Sequence, residues 1–381
     1  MTQFSSNTFN NLVVSSWAIG IKRNLRMPII LILFFSASGC TTLFPIIPVD
    51  QSVPLALLPT SAIGIEDKRA RFREIFCTVL QERGDSLADY RSCDQALQHL
   101  DTESAGEGEP VNLGFSKYGL TAIVIPGVGW DCFDEWLDTH YSIESHINKF
   151  GYNLKMLKVE GLSSSIRNAE LIHDAVIALP ELRNNHKLVL IGYSKGANDI
   201  LEALVAYPKL HTHIAAVVSI AGAIGGSPLA EDAEQTHLSL LTKWPGAKCT
   251  NGDAGAIESL RPSVRQAWLS RNSLPDGIPY FSLVSLPEPE RVSVALKSSY
   301  NRLRLIDSRN DGQLLFFDQV IPRSSLLGYL NADHWAIAVP IARSHQLIGT
   351  TFADQNDFPR EALYEAILRF VEEDLDASPT N

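Results

Sequence analysis

The chain has 381 residues, of which 45% are apolar and 20% charged, the balance of a globular protein that can bury a sizeable core in one large domain or two ordinary ones. Its formal net charge of −11 repels phosphate backbones and anionic bilayers alike, so nucleic acid is excluded as an expected partner. It shows no internal repeat and no low-complexity tract.

Residues 1–21 carry no charge, Lys22, Arg23 and Arg26 form a basic cluster, and the apolar run PIILILFF (28–35) leads into Ser36-Ala37-Ser38-Gly39-Cys40. A basic region, a short apolar stretch and small residues before a cut site make a secretory signal over residues 1–40. The apolar run falls short of the ~20 residues that a membrane span needs. The ending Ala37-Ser38-Gly39-Cys40 resembles a bacterial lipobox. That resemblance implies cleavage before Cys40, acylation of its thiol and membrane attachment through the acyl chains. With Thr41 following the cysteine, it implies an outer-membrane lipoprotein of the bacterial envelope, facing the periplasm. Plain secretion and an uncleaved signal anchor are the alternatives, because Ala37 stands where the lipobox usually has Leu. Loss of residues 1–40 removes three positive and no negative charges and takes the net charge to −14, so acyl chains rather than surface charge must hold the protein to a membrane.

Four cysteines then remain, Cys77, Cys93, Cys132 and Cys249, an even number that suits an oxidising compartment. Three pairings exist. Cys77 and Cys93 lie in one local helical segment and make the favoured pair, which leaves Cys132 with Cys249; four buried thiols are the alternative. The spacing matches no zinc site, and no cofactor or metal is expected.

Residues 41–65 read as a Pro-rich tether and 66–110 as a small helical N-terminal extension. In that extension Phe72, Ile75, Phe76 and Leu80 share one helical side, a second short helix is expected around 92–100, and a polar loop follows. From 111 to 381 strands and helices alternate: strands at 120–125, 154–159, 188–191, 215–220 and 279–286, helices at 134–150, 164–179, 196–207 and 360–375. Nearly all-apolar strands alternating with helices predict a mostly parallel, doubly wound α/β sheet with right-handed crossovers and catalytic groups at the C-terminal strand ends. The pattern breaks over about 223–277, where a helical cap or lid insertion is expected.

One stretch carries the chemistry. In KLVLIGYSKGAND (187–199) an apolar strand ends, Gly192-Tyr193-Ser194-Lys195-Gly196 follows, and a helix begins at once. A serine on so sharp a turn leaves no room for side chains two residues to either side, hence G-x-S-x-G and the expectation that Ser194 is a nucleophile. In chain order an acid and then a histidine should follow. His334, in LNADHWAIA, sits on a loop after an apolar stretch and is the expected base, with His345 in reserve and His211, His213 and His237 less well placed. Asp311, in the Asn-Asp-Gly turn of SRNDGQLL, is the expected acid; Asp307 and Asp318 are its rivals. The backbone N–H groups of Lys195 and of Val128, in the loop Pro126-Gly127-Val128-Gly129-Trp130, are expected to stabilise an oxyanion, with Gly129 as the second choice in that loop. The Lys195 side chain reads as solvated. Trp130, Phe133 and Trp136 are expected in core packing, with an acyl pocket as the alternative.

Taken together, IPGVGW, LVLIGYSKG, VVSIAGAIGGSPLA, NDGQLL and ADH resemble, in this order, the functional segments of the α/β-hydrolase superfamily, and within it bacterial secreted lipases and esterases. The resemblance spans about residues 118–345. It implies an α/β-hydrolase fold and a serine hydrolase that cleaves a small-molecule or lipid carboxylic ester through Ser194, His334 and Asp311 and an acyl-enzyme. It implies no calcium, because HWAIA lacks the acidic residue that some of these lipases use. Acyl transfer, thioester or amide cleavage with the same triad, or a non-catalytic envelope scaffold, are the alternative readings.

Overall fold

A computed structural model describes residues 64–377, apart from 100–102, 107, 133–139, 185–187, 234–241, 243–247 and 250, and all of these belong to one folding unit, Leu58–Asn381. The signal segment, Cys40, most of the tether, Phe133, Trp136 and His237 lie outside the described residues. No helix among the described residues is long and apolar enough to cross a membrane.

Eight strands form one sheet: β1 (Glu66–Asp67), β2 (Leu97–Gln98), β3 (Thr121–Ile125), β4 (Asn153–Met156), β5 (Leu188–Tyr193), β6 (Ile214–Ile220), β7 (Tyr280–Ser285) and β8 (Ser325–Leu330). Their order is β1-β8-β7-β6-β5-β3-β4, and every pair along it is parallel. Strands β3, β5, β6 and β7 are buried along their whole length, which is why they read as nearly all-apolar runs. β4 closes the other edge and tolerates exposed Asn153 there.

Helices α1 (Arg69–Arg83), α2 (His140–Asn148), α3 (Ser165–Ile177), α4 (Lys195–Ala206), α5 (Pro262–Arg271) and α6 (Arg360–Ala377) surround the sheet. On one face Phe72, Ile75 and Phe76 of α1, Ile147 of α2 and Leu363, Ile367 and Phe370 of α6 pack on Val124, Ile191, Val218 and Leu283. On the other, Ile172 and Val176 of α3 and Ile200, Leu201 and Leu204 of α4 pack on Ile123, Ile125, Leu190 and Val217. At about 25 cal/mol per Å² of apolar surface, two such faces supply most of the folding free energy. Ser164 caps α3 by accepting from the Arg167 N–H, as Ser before an apolar-periodic run should.

The N-terminal extension departs from its helical reading. After one turn of helix, Cys93–Ala96, the expected second helix becomes β2, which pairs antiparallel with β8, Leu97 opposite Leu330. β1 pairs with the other end of β8, Glu66 opposite Ser325. The two short strands therefore cover the outer edge of β8, which would otherwise offer unpaired backbone groups to another chain. The bond Cys77–Cys93 ties α1 to this segment, and Cys132–Cys249 is the second disulfide.

Candidate active site

Local sterics place the serine. β5 ends at Tyr193 and α4 starts at Lys195, so Ser194 alone makes the turn, with φ 55° and ψ −124°. A non-glycine residue there is strained and persists only where its surroundings hold it. Both neighbouring glycines are required by contact: a Cβ on Gly192 would fall on the backbone of Ala197, and one on Gly196 on the carbonyl oxygens of Ile125 and Pro126. A third glycine matters as much. A Cβ on Gly127 would lie 2.9 Å from the Ser194 Cβ and 3.3 Å from its Oγ. Ser194 is partly exposed between buried Tyr193 and buried Lys195.

The histidine and the acid arrive on later loops. His334 follows β8 and Asp311 lies in a turn closed by Gly312 at φ +90°. The fully buried Asp311 accepts at Oδ1 from the N–H groups of Gln313 (2.8 Å) and Leu314 (2.7 Å), and its Oδ2 lies 2.6 Å from His334 Nδ1. The His334 N–H donates to the Asp311 carbonyl at 3.0 Å, and the Tyr193 hydroxyl donates to the His334 carbonyl at 2.6 Å. A carboxylate only accepts, so it selects the tautomer with the proton on Nδ1 and leaves Nε2 as an acceptor. That Nε2 stands 2.9 Å from Ser194 Oγ. The structure thus brings Ser194, His334 and Asp311 together.

The rivals stand elsewhere. Asp307 is taken by the Arg309 guanidinium, which holds its carboxyl below the usual range. Asp318 abuts Gly225 and burial pushes it up to about 7. The His211 Nε2 is engaged with the Leu204 carbonyl, and His345 begins a short helix beyond the histidine loop.

Of the two candidate amides after β3, the Gly129 N–H is already donated to the Gly161 carbonyl at 3.2 Å. The Val128 N–H has no acceptor among the described residues, and the Lys195 N–H opens α4, where no helical acceptor exists. Both remain available to a ligand.

The Lys195 side chain corrects its solvated reading. It is 1% exposed, and Nζ donates to both oxygens of Asp199, at 2.7 and 2.9 Å, one helical turn away. An ammonium so enclosed is tolerable only when paired. Two supporting residues gave no sequence signal. Buried Asp333 accepts from the N–H groups of Ser293, Trp335 and Ala336 and so pins the histidine loop to the loop after β7; burial raises its carboxyl. Tyr193 lies in the motif but its bond to His334 is visible only in three dimensions.

Trp130 is buried, edge-on to Tyr193, as core packing requires. The apolar cavity that it lines with Val124, Pro126 and Tyr364 measures about 20 Å³, room for one water, and touches neither Ser194 nor His334. The only grouping of metal-ligating side chains among the described residues is Asp131 with Cys132 and Cys249, and both sulfurs are spent on each other.

A parallel sheet with helices on both faces, a serine on a strained strand–helix turn, and a histidine and buried carboxylate from later loops define the α/β-hydrolase class. A crystal structure of the metagenomic carboxyl esterase MGS0156 is similar over 84% of this chain and 96% of its own, with 38% sequence identity and a TM-score of 0.79. The chain belongs to the same family of serine hydrolases with the α/β-hydrolase fold. Two more distant structures are the lipase BlEst2 of Bacillus licheniformis (19% identity, 60% of this chain and 89% of that one, TM-score 0.46) and EstA of Clostridium botulinum (14%, 79% and 97%, 0.49). No protein-family model and no curated protein matches the sequence.

Proposed function

We propose that the protein hydrolyses carboxylic esters through an acyl-enzyme on Ser194. The single observation that carries this reading is the 2.9 Å approach of His334 Nε2 to the hydroxyl of a serine held on a strained turn. Ser194 Oγ attacks the carbonyl carbon while His334 takes its proton. Asp311 keeps the imidazole in the tautomer that can accept and stabilises the imidazolium that forms. Negative charge then grows on the carbonyl oxygen, where the N–H groups of Lys195 and Val128 stabilise it; one such donor is worth ~3 kcal/mol of the barrier. His334 delivers the proton to the leaving alkoxide, and a water activated by the same imidazole releases the acid. The carboxyl esterase with 38% identity supports an ester as the substrate.

The mature chain is proposed to act in the bacterial envelope, attached by lipid on Cys40, on the strength of the basic, apolar and small-residue order of residues 22–40. Replacing Cys40 by Ser should shift the protein from the membrane fraction to the soluble one.

The function is tested with p-nitrophenyl esters of increasing acyl length and with a fluorophosphonate probe. Turnover and labelling are expected in the natural protein, and loss of both in Ser194→Ala. Flat, negligible rates across the series, with no labelling, would overturn the ester reading.

A further inference from the structure

The two amides assigned to the oxyanion come from different elements, Lys195 from the start of α4 and Val128 from the loop after β3. Something must set the gap between them, because a donor displaced by a fraction of an ångström from a developing charge loses much of its effect. The structure holds a continuous connection, buried at the Lys195 end and part-buried beyond Asn168. Lys195 Nζ donates to Asp199 at 2.7 and 2.9 Å, and Asn168 Nδ2 on α3 donates to Asp199 Oδ2 at 2.7 Å. The same amide grips the peptide of Glu160 at both ends: Nδ2 donates to the Glu160 carbonyl and Oδ1 accepts from the Glu160 N–H, each at 3.1 Å. The next residue, Gly161, holds the loop after β3 in turn. Its N–H donates to Asp131 Oδ1 at 3.0 Å and its carbonyl accepts from the Gly129 N–H at 3.2 Å. A Cβ on Gly161 would lie 2.6 Å from the Gly129 nitrogen, so the two backbones are as close as they can be.

Lys195, Asp199 and Asn168 are each 1% exposed, so water cannot substitute for a lost partner at low cost. Asn168 is the one member that touches both sides, the charged pair under the elbow and the peptide that clamps Val128's loop. Its amide is suited to this because it donates and accepts on one rigid plane.

We propose that Asn168 is a positioning residue that sets the distance between the Lys195 and Val128 amides, and thereby the stabilisation of the oxyanion. It touches no substrate and acts through Asp199 and Glu160. This deepens the ester-hydrolase reading and rests on it.

The test uses Asn168→Leu, which removes all three bonds at similar volume, and Asn168→Asp, which keeps the shape but, protonated against the Asp199 carboxylate, offers one donor where the amide serves two acceptors. Steady-state kinetics on a p-nitrophenyl ester, affinity for an alkyl trifluoromethyl ketone and the melting temperature are measured for each. The expected result is a kcat lowered about 10- to 100-fold with KM within about threefold, and ketone affinity falling in step with kcat. The ketone adduct carries its oxygen where the oxyanion forms, so a purely structural role would lower the melting temperature without moving that ratio. Folded variants with kcat within about threefold of the natural protein, or with kcat lowered but ketone affinity unchanged, overturn the proposal. Asn168→Asp decides if the leucine variant does not fold. A natural protein that turns over no ester and takes no fluorophosphonate sinks the ester reading before any variant is made; an active natural protein with undiminished variants sinks the positioning role alone.

Discussion

On one flank of Ser194, the parts that meet are close in sequence. Gly127, Gly161, Asn168, Gly192, Gly196 and Asp199 all fall on successive strand–helix units, and their contacts are backbone approaches, the hydrogen bonds of the Asn168 amide and one buried ion pair. On the other flank, the parts come from far apart. The Arg91 guanidinium donates to the Asn331 carbonyl at 2.7 Å across 240 residues, the Asn331 N–H donates to the Ala96 carbonyl at 2.8 Å, and Asp333 accepts from Ser293 at 2.8 Å. The Cys77–Cys93 bond closes the segment that carries Arg91. The serine is therefore placed by sterics that any strand–turn–helix of this sequence would obey, whereas the histidine is placed by an N-terminal extension wrapped around β8. The extension thus holds the loop that carries His334.

The largest effect should come from the far flank. Asp311→Asn is expected to lower kcat about 10⁴-fold, because an amide in that place can stabilise the wrong tautomer of His334. Asp307→Asn should leave kcat within about threefold, and steady-state kinetics on both variants would show if the acid has been misplaced. On the near flank, Gly127→Ala should cost about 100-fold in kcat/KM, since the new Cβ would crowd Ser194 at 2.9 Å. Near-normal activity there would mean that the elbow is less tightly packed than its counterpart.

Arg91→Met probes the scaffold itself. It leaves the buried carbonyl of Asn331 without its donor and removes a second bond to the carbonyl of exposed Gln95, so chemical denaturation should show a loss of about 1–3 kcal/mol. A several-fold drop in kcat should accompany it, measured well below the melting point; unchanged kcat would detach the extension from catalysis.

The smallest effect should be one of pH. Burial raises Asp318 to about 7, with no donor to its carboxylate among the described residues. Between the ordinary carboxylate value and 7 the folded state holds a proton that the unfolded state has lost, so this group makes stability fall as pH rises through that window. Asp318→Asn should therefore raise the melting temperature at pH 8, by the equivalent of about 1–3 kcal/mol, and leave it almost unchanged at pH 4. A variant that is less stable at pH 8 would show that Asp318 has a partner that stabilises its charge.

Periodicity and glycine spacing are local properties, and what they dictate was legible in the chain. Val124, Ile191 and Val218 read as strand cores because both sheet faces are covered, and the flanks of Ser194 had to be glycine because no Cβ fits. The strand β8 was visible only as an apolar stretch, and β1 and β2 not at all: two-residue strands have no period, and their pairing depends on an edge built elsewhere. The same limit applies to the site. Three aspartates follow one another at 307, 311 and 318; the Asn-Asp-Gly turn favours the second, but a turn signal does not exclude the other two. Arg309 claims the first, the third is buried with no donor to its carboxylate among the described residues, and the second lies on the imidazole. Lys195 looked like a solvated lysine because its own sequence neighbourhood does not reveal that its pair with Asp199 is buried and that Asn168 binds the same carboxylate.

By itself, then, the sequence determined the alternation of the sheet, the elbow and the chain order of serine, acid and histidine, since each follows from steric demands within a few residues. Only the tertiary structure decided which carboxylate faces the ring, which amide after β3 stays free and what encloses the lysine. Burial and pairing depend on which distant groups arrive at the same place.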